Sequence, residues 1–359
     1  MTDPRLALPS SALTFSGDAR LWPEQQAWAF KAFLWVAALM LYPWFATPFF
    51  VFQIGAQTLV LGTIALSLTF LAGYGGMVSL SQMSVAGIAA YMVAIVGTSS
   101  VTQISLGWTP WLAVIVALVV SVIAAVVIGA LAIRTEGIRT LMISLAIGVA
   151  FFYLTQQNYS LFNGFQGFSG IEPPMFFQLD TAEPRVFYYV ALAVAALSVF
   201  AVIYIARSPF GIGLQGVRDN PRRMASLGFD VTLHRLAAHA IAGLIAGAGG
   251  VLFAYYNHRV SPGSISTAAL INVLVIAVLG GMRHPVGPYI GAALFVLLGN
   301  FAIDFIDRER FNLVIGSAFL LVILFSPDGL LGLWERLRNI LRPVAQREQD
   351  PGATSSTNR

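Results

Sequence analysis

Cysteine is absent, and lysine occurs once, at Lys31, in a chain of 359 residues. The first absence excludes disulfides, thiolate metal sites and thiol nucleophiles. The second removes the P-loop, in which a lysine must follow a glycine-rich turn that cradles phosphates; Lys31 follows no such turn, so this chain cannot hydrolyse ATP by that route. Neither H-E-x-x-H nor G-x-S-x-G occurs, which leaves metalloprotease and α/β-hydrolase chemistry without their residues. Charge is scarce too, at 10% of residues against about 25% in a soluble domain. An ion-coupled carrier keeps ionisable groups within its spans, and few are present here. Asp304 and Asp307 fall at or beyond the end of one apolar run, Glu136 stands beside Arg134, and His239 lies just inside another run. His239 reads either as a relay group or as a neutral histidine hydrogen-bonded between helices.

What the chain has is apolar length. Hydrophobic residues make up 57% and the mean hydropathy is +0.78. At about 20 apolar residues per membrane span, ten stretches stand out: 32–47, 49–73, 80–100, 110–133, 138–156, 186–206, 236–257, 268–282, 286–305 and 311–326. Two of them, 268–282 and 311–326, are short enough to be tilted, broken or re-entrant. The expected fold is an all-α polytopic membrane protein of about 8–10 transmembrane helices with glycine-broken or re-entrant segments.

The arginines orient it. Net charge is +4, and the basic residues are scattered through short loops, which fits membrane topology rather than nucleic acid. With a cytoplasmic N-terminus, sixteen of the twenty basic residues fall in cytoplasmic segments, and such a bias sets both termini inside. The first apolar run begins near Trp28 after a mixed-charge stretch, so no cleaved signal is expected. The organisation expected is a cytoplasmic tail (1–31), a transmembrane domain (32–333) and a cytoplasmic tail (334–359). That domain would carry a cytoplasmic loop at 207–235 and an extracytoplasmic loop at 157–185. In the C-terminal tail, WERLRNILR (334–342) has the spacing of a short interfacial helix.

Three segments carry candidate function. In GVRDNPRRMASLGFD (216–230), Asn220 can cap a helix, Pro221 suits its first turn, and Gly228 can end it in a left-handed conformation. The product is a short element exposing Arg218, Arg222 and Arg223, read either as a docking knob or as arginines that enforce topology and bind lipid phosphates. LAGYGGMVSLSQMSVAGIAAYM (71–92) disfavours continuous helix at Gly73–Gly76 and sets Ser79, Ser81, Gln82 and Ser84 between apolar runs. Those four residues line a translocation path or join close-packed helices. GGMRHPVGPYIGA (280–292) makes a second break, with Pro285 and Pro288. In the longest outer loop, NGFQGFSGI (163–171) offers Asn163, Phe165, Gln166, Phe168 and Ser169 to a partner, or is an ordered lid without one.

These blocks occur in order with RTEGIRTLMISLAIG (134–148), SPFGIGLQGVRDNPRRMASLGFD (208–230), AGLIAGAGGVLFA (242–254), SPGSISTAALINVLVIAVLGGMRHPVGPYIGAAL (261–294) and SPDGLLGL (326–333). The succession, from about residue 50 to 335, resembles the LivM-type permease subunits of branched-chain amino acid ABC importers of the bacterial inner membrane. The resemblance implies a transporter subunit that is not itself an enzyme and holds no cofactor, ATP and Mg being bound by two cytoplasmic ABC ATPase subunits. It also implies a second, LivH-like permease subunit, an extracytoplasmic substrate-binding protein, the lipid bilayer as surroundings and no nucleic acid. The segment 207–235 then corresponds to the loop that contacts the ATPases, with Arg218, Asp219, Asn220, Pro221, Arg222, Arg223, Ala225 and Gly228 as its candidates. The family's E-A-A-x-x-x-G pattern is degenerate here: Ala225 and Gly228 align with it, and the acidic residue is missing. Branched-chain amino acids are the cargo implied; similar permeases carry urea, short amides or aromatic acids. A reading of another class is an ion-coupled secondary carrier using His239 or Asp304, and a third is a non-transporting scaffold.

Overall fold

The computed structural model describes residues 39–135, 137–174 and 183–305, together with six positions between 316 and 332. The span expected at 311–326, the interfacial helix at 334–342, both tails, Glu136 and the side chains of Asp304 and Asp307 lie outside the described residues. Helix α1 covers residues 39–45 and belongs to a separate unit ending at Ala46.

From Thr47 onward the described chain is helical almost throughout. A π-helical stretch, Phe50–Ala56, runs directly into α2 (Gln57–Gly75). There follow α3 (Gln82–Val96), α4 (Pro110–Ala132), α5 (Ile138–Gln157), the single turn α6 (Tyr159–Phe162), α7 (Pro184–Arg207), α8 (Pro209–Asp219), α9 (Pro221–Ser226), α10 (Val231–Asn257), α11 (Thr267–Gly280) and α12 (Gly287–Phe305). Among the described residues five helices are long and apolar enough to cross a membrane: Phe50–Gly75, Pro110–Ala132, Ile138–Gln157, Pro184–Arg207 and Val231–Asn257. Helices α3 and α11, of 15 and 14 residues, fall short of the length a bilayer requires.

The helix starts follow local chemistry. Proline occupies the first turn of α4, α7, α8 and α9, where its missing N–H costs nothing. Side-chain oxygens of Ser208, Asn220, Asp230 and Ser266 accept from the backbone N–H three residues on, at 3.2, 3.0, 2.9 and 3.4 Å.

Helix α10 is the centre of the packing, touching α2, α3 and α4 along its length. Small residues allow the approach. A Cβ on Gly243 would strike Ala125, one on Gly247 would strike Ser121, one on Gly249 would strike Ile64, and one on Gly250 would strike the backbone of Ala86. Ser121 Oγ also donates to the Gly243 carbonyl at 3.3 Å. Without a hydrophobic driving force between helices in lipid, such backbone proximity supplies the van der Waals contact that holds them.

Two expectations need amendment. Helix α2 does not break at Gly73; it continues to Gly75 and stops at Gly76, whose φ of +65° is left-handed. Gly73 serves close approach instead, because a Cβ there would meet the Met282 carbonyl. Second, 207–235 is mostly helix: α8 and α9 fill it, and α10 begins at Val231. Gly211, Gly213 and Gly216 weaken helix propensity in α8, yet each faces a neighbour a side chain would displace: the Ile205 carbonyl, the rings of Phe229 and His234, and Met224.

Candidate functional site

The helix ends sort the functional candidates into two groups. At one end meet the C-termini of α2, α4, α7 and α11 and the N-termini of α5 and α10, with Arg134, Arg139, Arg207, Arg235 and Arg283 among them. Here α8 and α9 form an elbow. Asn220 closes α8, with its N–H donating to the Gly216 carbonyl at 2.9 Å, and opens α9, with its Oδ1 accepting from Arg223 N at 3.0 Å. Gly228, at φ +89°, ends the turn, and Phe229 N returns to the Met224 carbonyl at 3.1 Å.

No residue of α9 is buried. It stands on a braced base: Met224 lies against Gly216, the Phe210 and His234 rings stack with centroids 5.5 Å apart, and Phe229 packs edge-on to His234. Arg222, Arg223 and Ala225 are exposed. So are Ile212, Leu227 and Leu233, at 64%, 65% and 60%. The sequence reading missed this apolar companion to the arginines, although Leu227 and Phe229 flanking Gly228 were its visible signal. Arg218 points elsewhere: its Nε donates to Asp219 at 2.8 Å and its Nη1 to the Gly73 carbonyl at 2.5 Å.

Ser79, Ser81, Gln82 and Ser84 come together between α2 and the first turn of α3, and all are buried. Ser79 and Ser81 share a hydrogen bond of 2.8 Å, and Leu80 N donates to Ser144 Oγ of α5 at 3.0 Å. Both amide atoms of Gln82 and the Ser84 hydroxyl have no hydrogen-bond partner among the described residues. Buried polar atoms are nearly always paired, so three open ones within a turn make this a buried polar site of the bundle. Ser84 also reaches the wall of an apolar cavity of about 310 Å³ between α3, α4 and α5. His239, 1% exposed, turns Nδ1 to the Arg235 carbonyl of its own helix at 3.0 Å. That corrects the expected bond between helices: a residue one turn earlier in a helix offers the nearest carbonyl.

At the opposite end, residues 158–171 fold over α3. Asn158 caps α6 through Leu161 N, and Asn163, at φ +56°, donates from Nδ2 to the Gly167 carbonyl at 2.6 Å. A two-residue antiparallel ladder pairs β1 (Phe168–Ser169) with β2 (Arg259–Val260), in the register Phe168↔Val260 and Ser169↔Arg259. Alternation then decides what faces out. Phe168 and Val260 are fully buried, Phe168 and Phe162 packing edge-on to Tyr91. Phe168 is therefore internal and cannot be a partner contact. Asn163 is half-buried, whereas Ser169 faces outward and shares a surface hydrogen bond of 2.9 Å with Ser100. Phe165, 67% exposed, and the exposed Gln166 and Ser169 form the outward surface.

Among the described residues no group of three or more His, Asp or Glu side chains could hold a metal.

Comparisons with known proteins show which family the chain belongs to. The permease LivM of the high-affinity branched-chain amino acid transport system of Salmonella typhimurium is 28% identical over 346 residues, covering 89% of this chain and 79% of its own length. LivM of Escherichia coli is 26% identical over 372 residues, covering 96% and 85%. A probable LivH permease of Methanocaldococcus jannaschii is 26% identical over 154 residues, 40% of this chain and 47% of the relative. No solved structure matches the chain. The family model for the permease component of the branched-chain amino acid transport system matches residues 50–324, so α2 to α12, the elbow and the capped opposite end are those of a chain that belongs to this family of ABC importer membrane subunits.

Proposed function

We propose that this permease forms part of the path for branched-chain or related amino acids, driven by separate ATPase subunits that bear on α9. The observation carrying this reading is α9 itself: a capped helix with no buried residue, showing Arg222 and Arg223 beside exposed Leu227. A rigid projection of this kind can pass on a displacement, which a disordered loop would dissipate. The arginine distribution supports a cytoplasmic position for the elbow and both termini, since sixteen of twenty basic residues then lie inside. Residues 158–171 would face the other side and meet a substrate-binding protein through Phe165 and Gln166. A second, LivH-like permease would complete the path, as the probable LivH relative supports. A zwitterionic amino acid needs hydrogen-bonding groups within the membrane, and the Gln82 amide and Ser84 hydroxyl are available at that buried site.

The test is purification of the tagged chain from its native membrane in mild detergent, with partners identified by mass spectrometry, followed by reconstitution with labelled leucine. Stoichiometric P-loop ATPases and a second permease, with ATP-dependent uptake, are the expected result. A chain that purifies alone under several gentle conditions and moves solute without ATP would overturn the proposal.

A further inference from the structure

We propose that Arg218 is a positioning residue: it ties the α8–α9 elbow to the end of α2, so that displacement of α9 moves the buried turn carrying Ser79, Ser81 and Gln82. This rests on the importer reading above and goes beyond it, because it takes Arg218 out of the ATPase contact and gives it an internal task.

Four observations meet at this residue. The Gly73 carbonyl belongs to the last turn of α2, where carbonyls have no partner within the helix, and Arg218 Nη1 donates to it at 2.5 Å. The Arg218 side chain lies on Gly76, where a Cβ would come 2.5 Å from Arg218 Cγ. Gly76 thus both admits the arginine and, at φ +65°, turns the chain out of α2. One residue further, Met77 N returns to the Leu71 carbonyl at 3.0 Å, and Met77 packs in a buried cluster with Leu71 and Leu214 of α8. Ser79 follows two positions later, bonded to Ser81.

The path is short at both ends. Arg218 precedes Pro221, the first residue of α9, by three positions, and it grips α2 just before the chain enters the serine-rich turn. Apolar contact through Leu214 alone could slide; a charge-assisted bond to a fixed carbonyl sets direction and register. A cation at a helix C-terminus also complements the helix dipole. The neighbouring Asp219 holds the guanidinium through Nε. That exposed pair contributes little by itself, but it orients the Nη atoms towards Gly73.

The experiment uses the full transporter with its partner subunits in liposomes, reading both ATP hydrolysis and uptake of labelled leucine. Arg218→Met keeps the side chain over Gly76 and removes the donors; Arg218→Lys keeps a donor. The expected result for Arg218→Met is an assembled complex that still hydrolyses ATP, with leucine taken up per ATP reduced about tenfold, the scale of one lost charge-assisted hydrogen bond. Arg218→Lys restores most of that ratio. Three results would overturn the tie: Arg218→Met coupling as well as the wild type, Arg218→Lys failing as badly as Arg218→Met, or Arg218→Met losing its ATPase subunits or its fold. If the wild-type complex itself takes up no leucine with ATP, the importer reading fails and the tie falls with it. That outcome is distinct from a coupled wild type with an equally coupled Arg218→Met.

Discussion

The elbow at 208–230 and the cap at 158–171 are both non-spanning, both end-mounted, and built on opposite principles. The elbow is held by helix caps, one stacked histidine and the buried Leu214 of α8, and it buries no residue of α9. The cap is held by aromatic rings, with Phe162 and Phe168 packed against Tyr91 and a ladder stitching it to β2. Exposed polar geometry at one end and buried aromatic area at the other give different failure modes. Damage to the elbow should cost coupling while stability survives. Damage inside the cap should cost stability first.

Variants can break or sharpen that contrast. The largest effect is expected from Arg222→Glu combined with Arg223→Glu, which should abolish ATP-driven uptake in reconstituted liposomes. Insertion should be intact, because Arg207, Arg218 and Arg235 still mark that end of the chain; normal uptake by the double variant would refute the docking role of α9. Next comes Phe168→Ala. Emptying a fully buried phenylalanine site costs about 3–5 kcal/mol, read as a lowered unfolding temperature of the detergent-solubilised protein, while Phe165→Ala should leave that temperature unchanged. Equal thermal losses from the two would erase the distinction between the inner and outer sides of the cap. Asn220→Ala should cost about 1 kcal/mol as a lost helix cap, with a partial fall in uptake per ATP and little change in thermal unfolding of the whole chain. The smallest effect belongs to Phe165→Ala in a different assay: weaker stimulation of ATPase activity by the binding protein, at unchanged basal activity. Equal loss of both activities would place Phe165 outside the docking surface.

The sequence reading saw the elbow better than it saw the cap. Asn220-Pro221 opens a helix and Gly228 stops it by rules that operate within a few residues, so α9 was legible. Helix α8 was not, because Gly211, Gly213 and Gly216 argue against helix locally and are explained only by what presses on them. Phe165 and Phe168 stand in near-identical surroundings, each following glycine by one residue. Only the pairing of Phe168 with Val260, far along the chain, sends one inward. The serine-rich turn was visible as polar residues between apolar runs. Its burial, and the open hydrogen-bonding capacity of Gln82 and Ser84, depend on α5 and α10 packing around it.

The contact between Gly250 and Ala86 bears on where a solute can travel. No methyl group fits between α10 and α3 at that level, and the same holds between α10 and α4 at Gly247 and between α10 and α2 at Gly249. An amino acid is far wider than a methyl group. In this packing a solute cannot pass between α10 and any of these three neighbours, and a wall encloses a passage only when a second wall stands opposite.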